Sequence, residues 1–361
     1  MIKHPYQALP QYTRWSRVVA GQSIENVDPV VGFPFRILAS DRVATAGSCF
    51  AQHIARHLKQ SGFTYYVVED GHPLGAASVR EKFNYGVFSA RYANLYTSRQ
   101  LLQLFKRSYG TFQPIEDIWK MADDQYVDPF RPNIQPRGFQ SQREVYEDRR
   151  QHFTAVRRMF EGLDYFVFTL GLTECWKDLR DGAVFPVCPG VAGGTFDEKL
   201  FAFQNLTVQD VVEDMSEFVQ ALASVNPHAR IITTVSPVPL IATAMDRHVL
   251  VSTTYSKSVL RVACEELCQR FGNVAYFPSY EIITGSYAQS KFFASDLRSI
   301  TEEGVEKVMQ LFLRHATRRK GLPIAPSAQE QDDFVAEMSN VVKAICEEEL
   351  IEASFAKGDL V

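Results

Sequence analysis

The stretch VATAGSCFAQHIARHL, Val43 to Leu58, decides how this chain is read. Val43-Ala44-Thr45-Ala46 is a short apolar run, the length of a buried strand. Gly47 follows, and then Phe50, Ile54 and Leu58 recur at helical spacing, which predicts a helix over residues 51–60. A strand, a tight glycine turn and a helix put Ser48 and Cys49 at the positive end of a helix dipole. Each is a potential nucleophile. The same residues can also do no more than turn the chain and cap the helix.

Similar runs recur downstream. Residues 42–46, 64–68, 164–170 (DYFVFTL), 230–235 (RIITTV) and 273–277 (NVAYF) read as five strands. Runs this short and apolar suit parallel strands covered on both faces. Helical spacing occupies residues 208–224, 256–271 and 301–314. The alternation predicts an α/β, three-layer, doubly wound molecule around a five-stranded parallel sheet. Residues 70–163 are too many for one crossover and predict an insertion, with helices at 98–107 and 142–161 around the proline-rich loop 128–138. Residues 1–40, rich in Pro, Gly and aromatics, read as an irregular arm, 41–322 as the α/β domain, and 323–361 as an acidic helical tail. In the tail, Phe334, Met338, Val341, Val342 and Ile345 form a stripe that docks on the domain or on a second copy, which predicts a homo-oligomer through that helix.

Composition narrows the function classes. Of 361 residues, 46% are hydrophobic and 22% charged, and 26 Phe with 15 Tyr supply a large core. The net charge of −4 gives no basic field for nucleic acid. Neither an apolar signal core at the start nor a membrane-length apolar run is present. The six cysteines form no CxxC pair and no disulfide or zinc spacing. These readings predict a reducing, cytoplasmic setting. Pro189-Gly190-Val191-Ala192-Gly193-Gly194 neither follows a strand nor opens a helix, so it is no dinucleotide fingerprint, and no cofactor is expected. His53 and His57 have metal-ligand spacing, but no third ligand is evident, so that face reads as solvated and no metal is expected.

Gly47-Ser48-Cys49-Phe50-Ala51 is the string that names the GSCFA family, and the chain resembles that family over about residues 33–312. Further matching blocks are Asn84-Tyr85-Gly86-Val87-Phe88-Ser89, Phe168-Thr169-Leu170-Gly171-Leu172-Thr173-Glu174, Ser236-Pro237-Val238-Pro239, Tyr255-Ser256-Lys257 and Tyr276-Phe277-Pro278-Ser279-Tyr280-Glu281. The family resembles SGNH/GDSL-type hydrolases. The resemblance implies a flavodoxin-like sheet and ester chemistry, with Ser48 as nucleophile and Cys49 as its rival. It also implies an oxyanion hole from the Ser48 N–H, Gly86 and Thr173, the last where an asparagine is usual. Glu174 would order its loop or bind substrate hydroxyls.

The final block departs from that pattern. Asp296-Leu297-Arg298-Ser299 has serine where SGNH enzymes carry histidine, and a serine cannot return a proton as imidazole does. His248, in the loop after the fourth strand, is the expected base, with Asp296 orienting it. Trp176, Phe185 and Tyr255 are expected to form a sugar-stacking wall, although core packing is the commoner fate of aromatics. Lys257 and Arg298 are expected to bind an anionic substrate group or to pair with Glu174 and Glu281. The expected activity is an esterase acting on an ester of a glycan or its precursor. An O-acyltransferase on a glycan and a non-catalytic glycan- or partner-binding module are the alternatives.

Overall fold

The chain begins with short turns and α1 (Trp15–Val18), then enters β1 (Val43–Gly47) and leaves it directly into α2 (Cys49–Gln60). There follow α3 (Ala77–Lys82), α4 (Ser98–Ser108), β2 (Trp119–Lys120), β3 (Tyr126–Val127) and α5 (Gln142–Gly162). The second half runs β4 (Tyr165–Leu170), β5 (Glu174–Asp178), β6 (Val184–Phe185), β7 (Phe201–Asn205), α6 (Val208–Val225), β8 (Arg230–Val235), α7 (Val249–Arg270), β9 (Val274–Tyr276), α8 (Ser279–Thr284) and α9 (Glu302–Ala316). The computed structural model describes residues 4–121, 123–318, 350, 351 and 355. The apolar stripe expected of the tail, from Phe334 to Ile345, lies outside the described residues.

Four strands, β1, β4, β8 and β9 in spatial order, form one parallel sheet. Four of the five expected strands are there. The fifth, at residues 64–68, is reduced to a single parallel bridge between Val43 and Tyr65. The cause lies in the hydrogen bonds along the free edge of β1. Thr64 O accepts from Val43 N (3.0 Å) and Tyr66 N donates to Val43 O (2.8 Å), but the next N–H, that of Thr45, donates to Ser89 Oγ (3.1 Å). Val68 N also turns away, to Ser89 O (2.8 Å). A serine hydroxyl thus takes over the bond that would have extended the ladder.

Both faces of the sheet are covered. Ala44, Ala46, Phe166, Phe168, Leu170 and Ile231 pack against α4, α5, α6 and α7 through Phe105, Phe160, Phe218 and Leu260. Val43, Tyr165, Val167 and Ile232 on the opposite face meet Phe50, Ile54 and Leu58 of α2 and Val305, Val308 and Phe312 of α9. The arm joins this second layer: Val30, Phe33, Phe35 and Ile37 are buried in it, and Ile37 N donates to Ala316 O (2.7 Å). Strands β6, β5 and β7 make a separate antiparallel sheet over residues 174–205, a stretch in which the sequence reading expected no strand.

Helix starts follow capping chemistry. Thr97 opens α4 and Thr207 opens α6 with complete capping boxes, and Ser141 and Thr301 accept from the third residues of α5 and α9. Helix α7 begins seven residues before the predicted 256. Its first turns are inverted: Ser252, Ser256 and Lys257 face inward, whereas Leu250 and Val251 are 66% and 55% exposed. An apolar-inward pattern cannot detect such a start.

The insertion is held by buried charge. Asp128, in the proline-rich loop, accepts from Arg131 Nε (3.0 Å), Arg149 Nε (3.2 Å) and the Phe130 N–H (3.1 Å). Arg107 of α4 stacks on the Phe130 ring (3.5 Å to the centroid) and comes within 3.9 Å of the same carboxylate. Burial alone would raise the Asp128 pKa, but Arg149, Arg131 and Arg107 outweigh it and hold the carboxyl far below the usual range. Burial pushes Arg107 down to about 9, against the pull of Asp128. Removing one partner of such a group leaves uncompensated buried charge. Asp128→Asn is therefore expected to lower the free energy of unfolding at pH 7 by about 3–5 kcal/mol, measured by urea denaturation. Because its folded pKa is depressed, the contribution of Asp128 is present above about pH 4 and fades as pH falls below that. The variant should lose less stability than wild type on acidification through this range.

Candidate active site

Gly47 ends β1 at φ +134°, where a Cβ would lie 2.3 Å from Thr169 O and 2.8 Å from Thr169 Cβ. Only glycine fits that approach. The strand therefore runs hard against β4 and hands Ser48 to the carboxyl edge of the sheet, where α/β folds bind ligands. Ser48 N donates to Thr169 O (3.3 Å), and Leu95 N donates to Gly47 O (2.9 Å), so both neighbours clamp the turn.

Ser48 has the dihedrals of an N-cap, φ −72° and ψ 178°, yet its side chain caps nothing. It is 4% exposed, and its Oγ is buried with no hydrogen-bond partner. Buried hydroxyls are almost always bonded, so one left open at a helix N-terminus is a notable expense. The hydroxyl borders a cleft of about 240 Å³ empty volume, open solvent included, lined also by Tyr96, Gly171, Leu172, Ser236, Val238, Pro239, Leu240 and Lys257. The loops after β1, β4 and β8 and the third turn of α7 all meet there.

The cleft walls are braced from behind. Gly171 N and Leu172 N both donate to Tyr96 O (2.9 and 3.2 Å). Lys257, 2% exposed, donates from Nζ to Gly171 O (2.6 Å). Thr173 N donates to Ser256 Oγ (3.0 Å), and the Thr173 hydroxyl donates to Asn205 Oδ1 (2.6 Å). Both of its donors are thus in use, and Thr173 is not on the cleft wall. The loop beyond Leu240 is tied down by Glu174, whose carboxylate accepts from Thr243 Oγ1 (2.7 Å) and Ala244 N (3.3 Å). Burial raises the Glu174 pKa, against the bonds from Thr243 and Ala244. Glu174 thus links β5 to the loop after β8.

Other expected residues lie elsewhere. His248 is exposed and caps α7, its Nδ1 accepting from Leu250 N (3.2 Å); it is not among the residues lining the cleft. Asp296 is exposed in a closed turn, accepting from Ser299 Oγ (2.6 Å), Arg298 N (2.9 Å) and Ser299 N (2.9 Å). The bond from Ser299, before the two N–H groups, lowers its pKa. Gly86 gives its N–H to Glu69 O (3.1 Å), away from the cleft lining. Phe185 is core, packed with Trp119 and Phe130, whereas Trp176 stacks edge-on with Phe196 (5.5 Å) and Phe203 (5.8 Å). Tyr255 packs under the Arg247 guanidinium (5.0 Å). The side chain of Cys49 lies outside the described part of the structure.

The face of α2 read as solvated is partly closed. Glu302 of α9 meets Arg56 (3.4 Å) and His57 (3.8 Å), and Arg56 contacts His53 Nδ1 (2.9 Å). Burial, then Arg56, pushes His53 down to about 4, which keeps it neutral at pH 7. Among the described residues, no three His, Cys, Asp or Glu side chains converge on a point where a metal ion could sit. No helix of the described residues is long and apolar enough to cross a membrane.

The sequence reading missed Tyr96 and the supporting role of Ser256. Tyr96 has a usable signal: it directly precedes the Thr97-x-x-Gln100 capping box, and it sits at the mouth of a helix packed on the sheet. A family model described as the GSCFA family matches residues 42–312. No curated protein matches the chain.

An unbonded, buried hydroxyl contributes nothing to folding. Ser48→Ala is expected to leave the melting temperature unchanged or slightly raised, without the 0.5–2 kcal/mol that an N-cap loss normally costs. Gly47→Ala, which drives a Cβ into Thr169 O, should lower it clearly. Thermal unfolding of the two variants against wild type tests both, and a large loss in Ser48→Ala would mean that the hydroxyl is structural.

Proposed function

The chain belongs to the GSCFA family, and from that membership and the geometry of the cleft we propose that it is a serine-dependent acyl-transfer enzyme of the SGNH/GDSL type. The observation that carries the proposal is the open Ser48 hydroxyl, buried at a helix N-terminus and bordering a cleft at the carboxyl edge of a parallel sheet. A flavodoxin-like arrangement is supported by the bridge from Tyr65 to Val43, which sets residues 64–66 beside β1 and gives the order 64–66, β1, β4, β8, β9.

In this reading Ser48 Oγ attacks the carbonyl carbon of an ester. The negative charge that develops on the carbonyl oxygen falls at the first turn of α2, at the positive end of the helix dipole, where the Ser48 and Ala51 N–H groups are already given to Thr169 O and Ser48 O. Gly86 and Thr173 take no part, since their N–H groups are already committed. The alcohol leaves, an acyl-serine remains, and a water molecule hydrolyses it. The substrate class we propose is the O-acyl ester of a carbohydrate. Its support is Trp176, edge-on to Phe196 of the segment before β7, on β5, the strand that continues directly from the Gly171–Thr173 loop. Transfer of the acyl group to a hydroxyl acceptor is the second reading, favoured by the burial of Ser48, which restricts water.

A fluorophosphonate probe tests the proposal. The expected result is a covalent adduct on the peptide bearing Ser48, found by mass spectrometry, absent in Ser48→Ala and retained in Cys49→Ala. An adduct that survives Ser48→Ala would move the chemistry to another residue. A folded wild type that takes no label would make the chain a binding module on an enzyme-like fold.

A further inference from the structure

We propose that Lys257 is the proton acceptor and donor for Ser48, replacing the histidine absent from the Asp296–Ser299 block. The inference rests on the acyl-transfer reading of Ser48 and goes beyond it by naming the base. Of the described side chains lining the cleft, Ser48, Ser236, Tyr96 and Lys257 carry an exchangeable proton, and of these only the lysine amine is a competent base, a hydroxyl or a phenol being a poor one near neutral pH. His248 and Asp296 are both exposed and engaged in local turns. Lys257 is buried and lines the same cleft as Ser48, with its Nζ fixed by Gly171 O at 2.6 Å.

Several features suit a lysine to this work. The rest of the wall is largely apolar (Leu172, Val238, Pro239 and Leu240), and no carboxylate is among the residues lining it. In general, a desolvated amine is more readily deprotonated, and serine–lysine pairs are an established way to activate a hydroxyl. The lysine is also held. Its neighbour Ser256 is tied to Thr173 N, and Gly171 O anchors Nζ itself, so the amine stays on the cleft wall. Other titratable or charged groups at this end of α7 are Glu174, bound to Thr243 and Ala244, and Arg247, bound to Ser252 Oγ (2.9 Å) and stacked over Tyr255.

The step balances without a further reactant. The neutral amine takes the proton as the Oγ–carbon bond forms, directly or through one water across the cleft. The ammonium returns that proton to the departing alkoxide as the ester C–O bond breaks. In the second half the amine takes a proton from the incoming water and returns it to Ser48 Oγ as the acyl–serine bond breaks.

The test compares wild type, Lys257→Met, Lys257→Arg and Lys257→Ala in the rate of fluorophosphonate labelling at Ser48 and of p-nitrophenyl acetate turnover, each as a function of pH. Arginine can still donate to Gly171 O but cannot be deprotonated at working pH. The expected result is a loss of about 10²–10⁴-fold in both Lys257→Met and Lys257→Arg, with loss of the rise in rate with pH that deprotonation of the amine gives the wild type. Added ethylamine should restore Lys257→Ala in proportion to its concentration. Full activity in Lys257→Arg, or a Lys257→Met profile of wild-type shape and height, would reduce Lys257 to a brace for Gly171 and overturn the inference while leaving Ser48 as nucleophile. A wild type that is never labelled at Ser48 would overturn the acyl-transfer reading itself.

Discussion

The approach of Gly47 to Thr169 governs the rest of the site. Two adjacent parallel strands come so close at their carboxyl ends that no side chain fits between them. The chain must then turn, and the next residue must leave the sheet as the start of a helix. Ser48 is placed by that constraint and by bonds on either side, from Ser48 N to Thr169 O and from Leu95 N to Gly47 O. Its position therefore depends on the backbone alone. A serine located in this way keeps its hydroxyl out of the packing and out of the helix cap.

The structure uses buried polarity in two different ways around this point. Along and behind the cleft walls, polar groups are matched. Thr173 meets Ser256 and Asn205, Glu174 meets Thr243 and Ala244, and Lys257 meets Gly171 O. At the cleft and the sheet edge beside it, hydroxyls are left open. Thr169 and Thr234, paired in register across β4 and β8, have unbonded buried hydroxyls, as does Ser48. The bonded rear wall makes the backbone rigid where loops meet, and the open hydroxyls of Ser48, Thr169 and Thr234 lie at the carboxyl edge in front of it.

Much of this was legible in the residues. Apolar runs of strand length separated by helical spacing carried the central sheet, and the strand–glycine–helix junction led to Ser48. The fifth strand failed because its partner bond was taken by Ser89, forty-four residues away from Thr45 and invisible to local patterning. The start of α7 failed because its inward face is polar. That same inversion marks the residues that brace the cleft, so the pattern broke down next to the candidate site. His248 was chosen as a base on its place in the chain order. The structure gives its imidazole a simpler task, holding the first turn of α7.

The arginines around Asp128 have a consequence for behaviour in salt. Arg131 and Asp128 are buried together with Arg107 and Arg149, and the proline-rich loop is fastened to α4 and α5 through them. Mobile ions screen charges that water can reach, over a distance of about 8–10 Å at ordinary ionic strength, and have little access to pairs shut inside protein. The attachment of that loop should thus be indifferent to concentrated electrolyte, whereas exposed pairs such as Arg150–Glu147 on the outer face of α5 are weakened by it. Brine would relax the surface of this molecule and leave the anchoring within its largest excursion from the sheet untouched.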